Sequence, residues 1–283
     1  MAQFFAHGNY SHTQKRVGNG GGRGDRDRAR RVFSQNFMID PYVVSQVVEA
    51  AGPHELVLEP GGGEGVLTCA LAETCKEVVT YEIDPLLAGR LASRTRGAGR
   101  ITVVRGDFLR ARVPVEPFAV VGNIPYAITS KIVSWCLRAP ALTSATLVTQ
   151  LEYARKRTGD FGRWSLLTVL TWPEYSWKLL ERVDRRSFRP VPAVDSAILS
   201  IERRPAALLG VGSRAGYRAF VEYGFAGRGG SLHASLRRRY PVRGVDVAFE
   251  AAGVGSGTVV AFVHPEQWLI LFDRLHSGEW SRR

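Results

Sequence analysis

Cysteine is scarce in this chain: Cys69, Cys75 and Cys136 are the three among 283 residues. Their odd number, without CxxC or Cys/His spacing, excludes a disulfide framework and a zinc ribbon and leaves buried thiols. The six histidines show no ligand spacing either, so no metal is expected. No apolar run approaches the ~20 residues that cross a bilayer. The start lacks the basic, apolar and small-residue zones of a secretory signal. A cytoplasmic protein without membrane association is therefore expected. The pattern G-x-x-x-x-G-K-[ST] is missing, which argues against a P-loop, and the one glycine-rich turn is not a clean G-x-G-x-x-G.

Apolar residues make up 45% of the chain, enough for a sizeable core. Positive charge is plentiful and unevenly placed. The net charge is +12; residues 1–31 carry 7 Lys/Arg against 2 Asp/Glu, residues 32–181 carry 15 of each, and residues 182–283 carry 16 against 9. A neutral centre between basic ends suits a ligand-binding domain flanked by surfaces for a polyanion, although Arg-rich coding alone yields the same totals. The glycine-rich stretch 18–24 buries too little surface to fold by itself. Contact with RNA and a merely solvated tail are equal readings of it. The expected organisation is a disordered basic tail over 1–31, an α/β domain over 32–204, a helical domain over 205–276 and a short tail over 277–283.

Within the α/β domain, Asp40-Pro41 reads as an N-cap and first helical residue, with Val43, Val44, Val47 and Val48 at helical spacing. Leu56-Val57-Leu58 reads as a buried strand running into Glu59-Pro60-Gly61-Gly62-Gly63-Glu64-Gly65 and then a helix. That is the first unit of a dinucleotide-like fold, in which glycines let backbone approach a ligand. A second strand ends in Glu82-Ile83-Asp84, with an acid placed to grip ribose hydroxyls. A third ends in Gly106-Asp107-Phe108, where Asp107 suits an adenine amine and Phe108 its ring. Each acid alone is as well explained by a helix cap. The preceding Gln35-Asn36-Phe37 is either a cofactor contact or a turn. A fourth strand, 118–121, leads into Asn123-Ile124-Pro125-Tyr126 and a helix over 129–137. The Asn123 amide oxygen and the Ile124 carbonyl can accept both hydrogens of an exocyclic amine. Pro125 stiffens the turn and Tyr126 offers a stacking face. Strands are expected at 145–148, at 166–171 and at 197–201, the last closing the sheet. Arginines flank Phe188 in a loop over 181–189. The residues beyond Pro205 show helical stripes, among them Tyr217, Phe220, Leu232, Leu236, Trp268 and Leu271.

Together these motifs, with Phe188-x-Pro190-x-Pro192-x-Val194-Asp195-Ser196, resemble the class I S-adenosylmethionine-dependent methyltransferases over about residues 32–276. Within them the chain resembles the ribosomal RNA adenine N6-methyltransferases of the Erm and KsgA groups. The resemblance implies a Rossmann-like α/β sheet with a small C-terminal helical RNA-binding domain, and S-adenosyl-L-methionine as cofactor. It implies that Gln35, Glu59, Gly61, Gly63 and Gly65 line the methionine end, with Asn36, Phe37 and Asn123 beside them. Glu82 and Ile83 would meet the ribose, and Asp107 and Phe108 the adenine. Asn123, Ile124, Pro125 and Tyr126 would hold the target base, with Phe188 on its other face. Arg155, Lys156, Arg182, Arg185, Arg186, Arg189, Arg228, Arg237 and Arg238 are the candidates for RNA phosphates, solvated faces being the alternative.

Glu59-Pro60-Gly61, the segment 152–157, the Arg-rich tail and Gln267-Trp268 resemble the Erm group more than the KsgA group. That implies 23S rRNA before full subunit assembly as partner of a monomeric enzyme, and macrolide, lincosamide and streptogramin B resistance. The alternatives are a small-subunit rRNA dimethyltransferase and a non-catalytic rRNA-binding factor. Asn123, Tyr126, Glu82 and Asp107 together argue against the last. Deleting residues 1–31 is expected to weaken RNA binding and flatten its salt dependence without changing cofactor affinity. Filter binding across a salt series measures this, and an unchanged slope would make the tail a bystander.

Overall fold

The computed structural model describes residues 36–227 and 230–276. Gln35, Arg228 and the expected tails at 1–31 and 277–283 lie outside the described residues. The described chain starts with a short strand, β1 (Phe37–Met38), and a helix, Pro41–Ala51. The helix begins where predicted because the Asp40 side chain accepts from the Tyr42 amide at 3.0 Å, and Pro41 needs no amide partner at the first position. Next come β2 (Leu56–Pro60), the helix Val66–Thr74, β3 (Glu77–Glu82), the Asp84-capped helix Pro85–Arg94 and β4 (Ile101–Arg105). They are followed by β5 (Phe118–Asn123), the helix Thr129–Arg138 and β6 (Leu142–Gln150).

Two helices, Leu151–Thr158 and Leu166–Thr171, precede β7 (Tyr175–Val183), β8 (Phe188–Arg189) and β9 (Ser196–Arg203). The main sheet runs β4-β3-β2-β5-β6-β9-β7; β9 pairs antiparallel with both neighbours and the other pairs are parallel. This is the Rossmann-like architecture that the resemblance implies. The chain order reverses between β2 and β5, which makes their carboxyl tips the switch point where such sheets bind ligands. Strand β5 shows why the sheet is central. Phe118 and Val120 enter the core with Trp135 and Ile132 on one face, and Ala119 and Val121 enter the core with Val44, Val47 and Leu71 on the other. A strand buried on both faces has to read as a continuous apolar run.

Two expectations fail here. Residues 166–171 are a helix, not a strand. Ser165 caps it by accepting from the Thr168 amide at 3.3 Å, and the Thr171 hydroxyl folds back onto the Leu167 carbonyl at 2.8 Å. The strand lies later, at β7, and takes in part of what read as a loop over 181–189. Nor does β9 close the sheet: it sits between β6 and β7, and β7 is the edge.

The C-terminal helices Arg214–Phe225, Leu232–Leu236, Val242–Ala252 and Pro265–His276 pack around Phe220, Tyr217 and Trp268. Their core reaches back before Pro205: it includes Val169, whose carbonyl accepts from the Tyr217 hydroxyl at 3.0 Å. Among the described residues no helix is long and apolar enough to cross a membrane.

A small ribbon joins the front of the chain to its middle. Strands β1 and β8 pair antiparallel, Met38 opposite Phe188. The second Asp40 oxygen accepts from the Ser187 hydroxyl at 3.0 Å, beside an Ile39 amide to Ser187 carbonyl bond of 2.9 Å. Asp40→Ala removes a helix cap and this bond together, and is expected to cost ~2 kcal/mol in urea unfolding.

Candidate functional site

The glycine turn is stitched onto the tip of β3. The Gly61 and Gly62 amides both donate to the Tyr81 carbonyl, at 2.8 and 3.1 Å. Gly61, Gly63 and Gly65 have φ of +80°, +54° and +80°, a region that side chains avoid. Gly62 is needed for another reason: a Cβ there would lie 2.2 Å from the Thr80 hydroxyl. The sequence singled out the first three and not Gly62, because a packing constraint from β3 leaves no local signal. Between this turn and the tip of β5 lies a cleft lined by Phe37, Met38, Glu59, residues 61–64, Val66, Leu67 and Asn123. Phe37 covers it, with its ring 3.2 Å from where a Cβ on Gly63 would stand.

Two buried carboxyls sit behind the turn. Glu82, 1% exposed, accepts from the Gly63 amide and the Asp84 amide, each at 2.8 Å. These two bonds hold the turn to the next helix. Glu59, also 1% exposed, accepts from the Thr68 hydroxyl at 2.6 Å. Burial pushes its carboxyl up to about 7, the Thr68 bond opposes this, and the nearby Glu82 charge adds to it. Asp107 caps a short turn by accepting from the Leu109 amide at 2.9 Å. Phe108 follows it. It is 4% exposed and packs against Tyr81 and Trp135, with ring centroids 5.6 and 4.7 Å away, so it supports the site from the core. Ile83, by contrast, is exposed at the tip of β3.

The tetrapeptide after β5 is held rigidly. The Asn123 amide nitrogen donates to the Asn36 carbonyl at 2.7 Å, which fixes the amide and turns its oxygen away from that partner. This explains Asn36, which acts through its backbone. The Ile124 side chain is buried and its amide bonds the Val148 carbonyl at 3.3 Å. Pro125 has φ −58° and its carbonyl accepts from the Ile128 amide at 3.1 Å. The Tyr126 hydroxyl shares a 2.6 Å bond with the Ser196 hydroxyl, and burial raises its pKa, so it stays neutral. Phe188, on the strand β8 that pairs with β1, is 1% exposed and enters the core with Met38 and Val183.

The basic candidates divide. Arg182 pairs with Asp195 at 2.6 Å and Arg155 with Asp160 at 2.8 Å. Lys156, Arg185, Arg186, Arg189, Arg237 and Arg238 are exposed. Beside Tyr126 and Ser196, a cavity of about 420 Å³ is lined by Leu151, Glu152, residues 184–186 and residues 193–195. Among the described residues no group of three or more His, Cys, Asp or Glu could hold a metal.

Comparison with known proteins fits this geometry. The sequence profile of the ribosomal RNA adenine dimethylase family matches residues 26–277. An rRNA adenine N-6-methyltransferase of Saccharopolyspora erythraea is 55% identical over 256 residues, 90% of this chain and 67% of that protein. The mycinamicin-resistance protein MyrB of Micromonospora griseorubida is 37% identical over 86% of this chain and 78% of its own length. The crystal structure of the 23S rRNA methyltransferase ErmE superposes with a TM-score of 0.83 at 54% identity, covering 85% of this chain and 99% of that one.

The buried Glu59 sets a pH dependence. Its folded value lies near 7 against an ordinary 4.5. Between these values the folded chain alone holds the proton, so stability falls as pH rises through that window. The loss is complete above about 7 and amounts to ~3 kcal/mol. Glu59→Gln is expected to be more stable than the natural chain at pH 8 and little different at pH 4.5. Urea midpoints at the two pH values test this.

Proposed function

The chain belongs to the ribosomal RNA adenine dimethylase family, and on that premise we propose that it methylates N6 of one adenine in 23S rRNA, using S-adenosylmethionine. The modification would confer resistance to macrolides, lincosamides and streptogramin B. One observation carries the chemistry: the Asn123 amide, clamped by the Asn36 carbonyl, has its oxygen left to accept from a substrate amine.

The lining of the cleft supports this reading: a left-handed glycine turn where backbone replaces side chains, and a buried carboxyl, Glu59, that suits a group bearing positive charge. The glycine turn, Glu59 and Phe37 would hold that end; Ile83 and Asp107 would meet the nucleoside. When bound, the cofactor supplies a methyl on a positively charged sulfur, a good electrophile. What remains for the chain is placement. The Asn123 oxygen and the Ile124 carbonyl would each accept one N6 hydrogen of the target adenine, so that its nitrogen can turn tetrahedral and its lone pair leave conjugation with the ring. Tyr126, its hydroxyl anchored on Ser196, gives the flipped base a flat and uncharged face. The surplus N6 proton passes to water once the carbon–nitrogen bond has formed, and no side chain is required as base.

The test is methyl transfer from labelled S-adenosylmethionine to purified large- and small-subunit rRNAs, with the modified base mapped by primer extension. One modified adenine in the large-subunit RNA is expected. Asn123→Ala should keep its RNA affinity and lose at least ~10²-fold in transfer rate. Label confined to the small-subunit RNA would make the enzyme a dimethyltransferase of that subunit, and full activity in the variant would refute the role given to Asn123.

A further inference from the structure

The loop after the helix Leu151–Thr158 displays an aromatic ring on strained backbone. Phe161 is 77% exposed and has φ 58°, ψ 25°, the one non-glycine residue with positive φ among the described residues. A bulky side chain in the left-handed region is held there only when its surroundings over-determine it.

They do so here. A Cβ at Gly159, which has φ +76°, would lie 2.3 Å from the Trp164 ring. The Phe161 amide donates to the Asp160 carboxylate at 3.1 Å. The same carboxylate holds Arg155 at 2.8 Å, and the Arg155 guanidinium lies over the Phe161 ring, 5.6 Å from its centroid. The Trp164 amide bonds the Ala261 carbonyl at 2.7 Å, which ties this loop to the short turn Val260–Phe262. On that turn Phe262 is 46% exposed and carries Arg163 at 5.4 Å from its centroid.

Two exposed rings, each with an arginine against it, thus stand on adjoining loops. The Phe161 ring adds little to the core, and a glycine would satisfy the turn with less strain. Folding therefore does not account for it. Arg155, Lys156, Arg157 and Arg163 against Glu152 and Asp160 give the segment a positive balance. A protein partner seeking apolar surface would meet guanidinium groups. A nucleotide matches both features, with a flat base for the rings and a phosphate for the cations.

We propose that Phe161 and Phe262 are a stacking platform for unpaired bases of the RNA substrate, separate from the methylation pocket, with Lys156 and Arg163 on the flanking phosphates. The proposal rests on the RNA-methylating function proposed above. The experiment uses the full chain and a labelled stem-loop of the large-subunit RNA carrying the mapped adenine. RNA affinity across a salt series, methyl transfer, cofactor affinity and thermal midpoint are measured for the natural chain, Phe161→Gly and Phe161→Trp.

Phe161→Gly is expected to lose at least ~5-fold in RNA affinity. Its salt slope should not change, since no charge is removed. Its thermal midpoint should not fall, because glycine accepts the left-handed conformation, and cofactor affinity should hold. Phe161→Trp keeps a flat face and should stay within ~2-fold of the natural chain. Unchanged RNA affinity and transfer in Phe161→Gly would overturn the platform, as would equal losses in both variants. Failure of the natural chain to methylate the RNA would instead remove the function on which the proposal stands.

Discussion

One buried carboxylate organises the glycine turn. Glu82 accepts from the Gly63 amide on one side and the Asp84 amide on the other. It therefore couples the glycine turn after β2 to the helix that Asp84 caps after β3. A carboxylate removed from water needs such partners, and backbone amides supply them without flexible side chains. The arrangement bears on its neighbour. With Glu82 held as an acceptor, the second acid, Glu59, sits close to a like charge in a desolvated place and retains its proton to about 7. A positive charge placed near it would favour its ionised form.

The front ribbon decides access. Phe37 lies over Gly63, Asn36 clamps Asn123, and the β1–β8 pair covers Phe188. Residues 36–38 thus adjoin the glycine turn, the Asn123 turn and the buried phenylalanine at once.

Charge is divided with comparable economy. Two of the candidate arginines have carboxylate partners: the exposed Arg182 pairs with Asp195, and Arg155 pairs with Asp160 in the loop that carries Phe161. The cavity beside Tyr126 is lined by Glu152, Asp184 and Asp195 as well as Arg185 and Arg186. The local carboxylates offset the positive charge of the arginines beside them, so this cavity is more nearly neutral than the net charge of the chain suggests.

The local sequence by itself determined the strand–turn–helix units. The cap at Asp40, the apolar run of β5 and the glycines with positive φ are properties of a few neighbouring residues, and each was legible as such. The motif residues at the tips of β2, β3, β4 and β5 were legible too, because a parallel sheet brings consecutive strand tips to one edge. The tertiary structure alone decided what depends on distant partners. The segment 166–171 is as apolar as a strand, but its serine cap and its place against Tyr217 make it a helix. Glu82, Phe108 and Phe188 have the residue types of ligand contacts, yet the amides and rings that surround them are contributed from elsewhere in the chain. Asn123 has the opposite history: its residue type suggested an acceptor, and the carbonyl of Asn36, 87 positions away, determines which way that acceptor points. A hydrogen bond between distant residues leaves no periodicity to read, so only the folded chain could assign it.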